Sequence, residues 1–201
     1  MADRRKTRQL VLGDEAHGFV RIGGDAPVSV QSMTSTYTHD VATCVREIQK
    51  LAAAGADIVR VAVPERKDTE ALKEILPQVT VPIVADVHFH FQRALEAIDA
   101  GVHKIRLNPG NIQDRAQVKD VIQACRAKKI PIRIGVNEGS IVERKDKQKR
   151  MKELGQVFSN HKHGYLLSII LTKLEEYIEV FAEENFHDIV ISAKSIDPQF
   201  V

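Results

Sequence analysis

The chain of 201 residues is 43% apolar and 28% charged, the balance of a soluble globular protein large enough to bury a core of its own. Its 29 basic and 27 acidic side chains leave a net charge of +2, which argues against nucleic acid or an anionic membrane surface as a partner. Two cysteines far apart, Cys44 and Cys125, form no disulfide framework, and no long apolar run follows the basic start at Arg4, Arg5, Lys6 and Arg8. The most apolar run, Leu166 to Leu171, is too short to span a bilayer. A cytoplasmic protein with buried free thiols is the expectation.

Gln9 to Leu12 and Gly18 to Ile22 read as a hairpin joined by a polar turn, and Val28 to Met33 as a strand after the Gly23-Gly24-Asp25 and Pro27 breakers. A strand–helix rhythm then sets in. Val41 to Ala54 has helical spacing and ends at Gly55, before the strand Ile58 to Val63. Asp68 caps a helix through Leu76, and Val81 to Val87 is the next strand. Gln92 to Ala100 is a helix stopped by Gly101, followed by the short strand Lys104 to Leu107. Asp114 to Lys128 and Ile130 to Val136 make one more helix and strand. Glu143 to Lys152 interrupts the rhythm with six basic and two acidic residues, a composition suited to a solvated helix. Tyr165 to Glu184 is a long amphipathic helix, and His187 to Ser192 a sixth strand leading to Lys194.

Such alternation builds parallel βα units, whose nearly continuous apolar strands are covered by helices. Six units fit either a doubly wound open sheet or a barrel two strands short of eight. In either architecture ligands bind at the C-terminal ends of the strands. Polar residues collect there: Gln31, Arg60, Asp86 with His88, Arg106 with Asn108, Arg133 with Asn137, and Lys194. Within Lys104 to Leu107 the apolar Ile105 and Leu107 occupy one face, so Arg106 and then Asn108 project from the other. Pro109-Gly110 ends that strand in a turn. Arg60 or Arg133 taken singly can be explained by an ion pair with Asp86. Four cations around one acid carry an excess that costs several kcal/mol unless an anion neutralises it. Arginine's planar donor fork matches phosphate oxygens, so a ligand with more than one phosphate is expected.

Asp86, His88 and His90 share one face if their strand continues that far, and an H-x-H pair can then hold a divalent metal as in metal-dependent hydrolases. That reading needs ligands from later strands, where Asn137 and Lys194 stand instead. His161 and His163 fall in a polar loop.

Together the motifs Val30-Gln31-Ser32-Met33-Thr34, Ala56-Asp57-Ile58-Val59-Arg60-Val61 and Val84-Ala85-Asp86-Val87-His88-Phe89 resemble those of the 4-hydroxy-3-methylbut-2-enyl diphosphate synthases, iron–sulfur enzymes of the non-mevalonate isoprenoid pathway. Ile105 to Ile112 (IRLNPGNI), Ile130 to Asn137 (IPIRIGVN), Ser140 and Ile191-Ser192-Ala193-Lys194 extend the resemblance. It runs almost without gaps from Arg21 to Ser140. It implies a TIM-barrel-like (β/α) parallel barrel, similar to dihydropteroate synthase and incomplete here at six of eight units. The implied substrate is 2-C-methyl-D-erythritol 2,4-cyclodiphosphate, whose ring a 4Fe–4S cluster opens with two electrons drawn from ferredoxin or flavodoxin. By the same resemblance Arg60, Arg106, Arg133 and Lys194 grip the diphosphate, and His88, Asn108 and Asn137 hydrogen-bond it. Asp86 is the catalytic candidate beside the reacting carbons. The family carries its cluster on a C-terminal domain with three cysteines and a glutamate, and pairs as homodimers; residues 1–201 are expected to be the barrel alone, without those ligands. A non-catalytic phosphate-binding barrel is the alternative. Glu138, where the family has a small residue, and His90, where an acid is common, depart from the pattern.

Overall fold

The structure, a computed structural model, describes residues 6–108, 111–112, 114–137 and 164–194, without the side chains of 137, 164–169 and 171–173. Pro109, Gly110, Glu138, Ser140, the basic stretch 143–152, His161 and His163 lie outside the described residues.

Strands β1 (Leu10–Asp14) and β2 (Gly18–Ile22) form an antiparallel hairpin. Then follow β3 (Gln31–Met33), α1 (Val41–Ala53), β4 (Ile58–Ala62), α2 (Arg66–Ile75), β5 (Ile83–Asp86), α3 (Phe91–Ala100), β6 (Lys104–Leu107), α4 (Arg115–Lys128), β7 (Ile132–Asn137), α5 (Gly164–Glu183) and β8 (Ile189–Lys194). Strands β3 to β8 pair in parallel, each with the next in the chain. A doubly wound sheet would reverse its strand order at a switch point; this one never does. The sheet is therefore an open arc of a (β/α) barrel, and the doubly wound alternative is set aside.

Strand pleating divides every strand between two faces. Val59, Val61, Ile83, Ala85, Ile105, Leu107, Ile132 and Ile134 are wholly buried and pack in one core with the helices. Each of the valines, isoleucines and leucines among them contributes about 1.5–3 kcal/mol by leaving water, which is what holds the helix layer on the sheet. On the opposite, concave face Ile58 and Val84 pack instead against Leu12, Val20 and Ile22 of the hairpin. The hairpin thus closes the N-terminal end of the arc and leaves the C-terminal end open.

Local signals explain the helix boundaries. Asp40 and Asp114 accept bonds from first-turn amides of α1 and α4, at 3.2 Å from Thr43 N and 2.8 Å from Ala116 N. Gly101 ends α3 at φ 100°, a conformation glycine adopts without steric cost. Helix α2 begins two residues before the expected cap. Glu65 is the N-cap, and Asp68 is the third helical residue, reaching back to Glu65 N at 3.0 Å in a reciprocal capping box. The first strand of the arc is shorter than the apolar run from Val28 suggests, because Asp57 Oδ2 takes the Val30 amide at 2.6 Å and removes it from the ladder. The sixth begins at Ile189 and runs through Lys194. No described helix is long and apolar enough to cross a membrane.

Candidate functional site

Register decides which side chains share the concave face. Met33 pairs with Arg60, Arg60 with Val84, and Val84 with Lys104. One step nearer the open end, Ala62 pairs with Asp86, Asp86 with Arg106, and Arg106 with Arg133. Gly135 pairs with Ser192, and Asn137 with Lys194 at the rim. Because parallel partners point the same way, the strands turn the described side chains among these toward one hollow, and the side chain of Asn137 lies outside the described residues.

Asp86 is 3% exposed and stands at its centre. Arg106 Nη1 donates to its Oδ1 at 3.0 Å, and Arg60 Nε lies 3.5 Å from its Oδ2. Arg60 also directs Nε and Nη2 at Met33 Sδ, at 3.2 and 3.0 Å. Arg106 Nη2 donates to the Gly135 carbonyl at 3.3 Å, and Arg133 Nε to Ser192 Oγ at 3.1 Å. Burial, with Arg60 and Arg106 beside it, lowers the Arg133 pKa despite the opposing pull of Asp86. The ion pair with Asp86 expected for Arg60 or Arg133 is made by Arg60, and Arg106 makes a second one that the sequence did not suggest. They leave Arg133 without a carboxylate among the described residues.

Asn108 is 3% exposed at the end of β6, and its carbonyl accepts from Asn111 N at 2.9 Å. Lys194 ends β8 exposed at the rim. His88 lies beyond the strand, half-buried, with its ring 6.0 Å from that of Phe89. Strand β5 stops at Asp86, and His90 is the exposed N-cap of α3, so the continuous strand needed for a three-residue metal face on Asp86, His88 and His90 is not present.

Asp14, His17 and His103 do approach metal-binding distance, at the opposite end of the arc. His17 Nδ1 lies 2.7 Å from Asp14 Oδ1, and His103 Nε2 lies 3.3 Å from Oδ2. His103 Nδ1 already accepts from Ile83 N at 2.9 Å, so its proton sits on Nε2, the nitrogen a metal would need. Metal-bound histidines instead donate from their second nitrogen. The cluster is a hydrogen-bonded latch fastening the hairpin to the sheet.

Two members of the hollow have no place in the expected set. Lys104 is 3% exposed, and its Nζ donates to Gln31 Oε1 at 3.2 Å. Burial, then the charges of Arg133 and Arg60, bring its pKa down to about 8. Gly135 supplies the gap across which Arg106 lies. Period-two spacing alone puts Lys104 on the face of Arg106.

The family model described as GcpE TIM-barrel domain matches residues 15–201. The chain belongs to the GcpE TIM-barrel family. Relatives named 4-hydroxy-3-methylbut-2-en-1-yl diphosphate synthase (flavodoxin) include that of Exiguobacterium sibiricum, 44% identical over 99% of this chain and 49% of the relative. That of Sulfurimonas denitrificans is 44% identical over 99% of the chain and 51% of the relative. The chain spans about half the length of the curated relatives it matches. Among solved structures, a putative phosphonomutase from Burkholderia cenocepacia aligns with a TM-score of 0.54 at 12% identity, over 84% of this chain and 79% of that one, a likeness of fold. The GcpE match covers every strand of the arc, and thus the whole cationic hollow.

The iron–sulfur cluster implied by the resemblance needs thiolate ligands. Cys44 and Cys125 are fully buried in the core between sheet and helices, away from the hollow. Burial pushes the Cys44 thiol up to about 11 and that of Cys125 higher still. These two residues do not fit a cluster.

Proposed function

We propose that the concave face binds the diphosphate of 2-C-methyl-D-erythritol 2,4-cyclodiphosphate, and that the chain is the substrate-binding barrel of an enzyme that opens this ring reductively to 4-hydroxy-3-methylbut-2-enyl diphosphate. The observation that carries the reading is the concentration of Arg60, Arg106 and Arg133 around one buried carboxylate, Asp86. Such an excess is costly without an anion and strongly attractive to one. The names of the GcpE relatives support the choice of diphosphate.

In this reading Arg60, Arg106 and Arg133 take the diphosphate oxygens from below and Lys194 takes them from the rim. His88, Asn108 and Asn137 supply hydrogen bonds. Asp86 holds Arg60 and Arg106 in position before the ligand arrives and is the acid–base candidate beside the reacting carbons. Fixed cations of this kind stabilise negative charge as the ring oxygen leaves, without reorganising at that moment. By the resemblance the two electrons would be supplied by a 4Fe–4S cluster, which Cys44 and Cys125 would not hold and a separate cluster-bearing domain would. The flavodoxin in the relatives' names supports flavodoxin over ferredoxin as its donor. A homodimer that sets one subunit's cluster domain over the other's barrel, in the cytoplasm, belongs to the same reading.

Calorimetric titration with the cyclodiphosphate tests it. Binding to the parent, with a loss of at least tenfold in affinity for Arg106→Ala, is expected from one charge-assisted contact worth about 1.5–3 kcal/mol. No binding, or an Arg106→Ala variant indistinguishable from the parent, sinks the reading.

A further inference from the structure

Lys104 is the charged side chain on the concave face that the family motifs leave without a role. It lies on the rung of Val84 and Arg60, one step below Asp86 and Arg106. Its neighbour Val84, and Ile58 one step lower on β4, are apolar and packed on the hairpin. Lys104 is as buried as they are, yet the bond from its ammonium is to a neutral amide, Gln31. A buried ammonium needs a counter-charge. Asp86, the carboxylate of this face among the described residues, is engaged by Arg60 and Arg106.

We propose that Lys104 is a further cation of the anion site, reaching the diphosphate from the floor of the hollow and taking up a proton as the diphosphate arrives. The inference rests on the diphosphate reading above. Around Lys104 stand Gln31 and Met33 from β3, Arg60 from β4, Asp86 from β5, Arg106 from β6 and Arg133 from β7, with Ser192 of β8 bonded to Arg133. Arginine does not deprotonate in proteins. Lys104 titrates at about 8, because burial and the charges of Arg133 and Arg60 oppose its proton. Near that pH about half of the ligand-free molecules carry a neutral amine. An arriving diphosphate reverses the local field and restores the charge.

The consequence is a coupling of binding to protonation that a merely structural lysine would not produce. The cyclodiphosphate is a suitable probe, because its phosphates are bridged and their charge is constant above neutral pH. Titrated calorimetrically into the parent chain at about pH 8 in buffers of differing ionisation enthalpy, it gives a buffer-dependent heat that reports proton uptake. Its affinity falls roughly tenfold between about pH 7 and about pH 9.5. Lys104→Met binds more weakly than the parent at neutral pH and with the same affinity at both values. A Lys104→Met variant that keeps the parent's proton uptake and pH dependence overturns the inference while the diphosphate reading stands. Should that variant not fold, the parent decides alone, since binding without proton uptake is equally fatal. A parent that binds no cyclodiphosphate at either pH removes the diphosphate reading, and this inference with it.

Discussion

The Arg106 guanidinium lies across Gly135, donating Nη2 to its carbonyl at 3.3 Å, and a Cβ on Gly135 would stand 2.8 Å from Arg106 Nε. Glycine inside a strand usually marks such a close approach. Gly135→Ala is expected to fold, with a stability change within about 1 kcal/mol, since alanine suits a strand better than glycine. The methyl group pushes Arg106 off its seat, so affinity for the cyclodiphosphate falls roughly tenfold or more. Thermal melts beside calorimetric titration check both halves, and an unaltered affinity would show that Arg106 does not need this gap.

Asp86 offsets the mutual repulsion of Arg60 and Arg106, so its charge is structural as well as functional. Asp86→Asn leaves two partly buried guanidinium groups without their carboxylate and is expected to cost about 3 kcal/mol of folding free energy, the low end of the range for a broken buried pair. Because the missing charge is an anion, sulfate should restore part of the lost melting temperature in Asp86→Asn and do less for the parent. Equal sulfate responses in the two proteins would contradict this account of the hollow.

Lys104 makes the opposite prediction for stability. Its pKa falls from 10.5 to about 8 on folding, so below pH 8 the folded state carries the full cost of a buried charge. That cost is relieved as pH rises through 8 and is gone once the unfolded chain also loses its proton. The parent should therefore gain stability relative to Lys104→Met between about pH 8 and about pH 10.5, and be the less stable of the two at pH 7 by up to about 3 kcal/mol. Denaturant unfolding of both proteins across this range measures the difference directly. A variant that is more stable yet binds more weakly separates the functional from the structural part of the residue.

Glu47 is one of the carboxylates that contribute to the acid limb. Burial alone would raise its carboxyl, but the hydroxyls and amides of Thr36 and Ser35 outweigh burial and hold it at about 2. A carboxyl depressed on folding contributes stability above its unfolded pKa, and that contribution fades as pH falls from about 4.5 toward about 2. Glu47→Gln should therefore destabilise the protein at pH 7, and the gap from the parent should close by about pH 2. A gap that persists unchanged at low pH would mean that the loop after β3 is held by something other than the carboxylate charge.

The alternation of elements and most of the strand-end residues were legible because both follow from local rules. Apolar runs punctuated by glycine set the βα rhythm, and Arg106 with Asn108 stand out because charge at the end of an apolar strand has few explanations. The start of α2 was not legible, because Glu65 and Asp68 both suit a helix N-terminus and the reciprocal bonds of the capping box decide between them. His88 and His90 likewise depended on where β5 stops.

Period-two spacing implied that Ile105 and Leu107 face one way and Arg106 the other, whatever their neighbours are, since pleating is a property of the strand itself. Which of two sheets those strands build was settled by pairing between residues far apart in the chain. The unbroken order from β3 to β8 makes an arc with one concave face. Only that curvature gathers Arg60, Asp86, Arg106 and Arg133 into a single hollow, lays Arg106 over Gly135, and puts Lys104 on the floor beneath them. These relationships depend on distances between strands, and electrostatic coupling at such distances is not encoded in any one segment of the sequence.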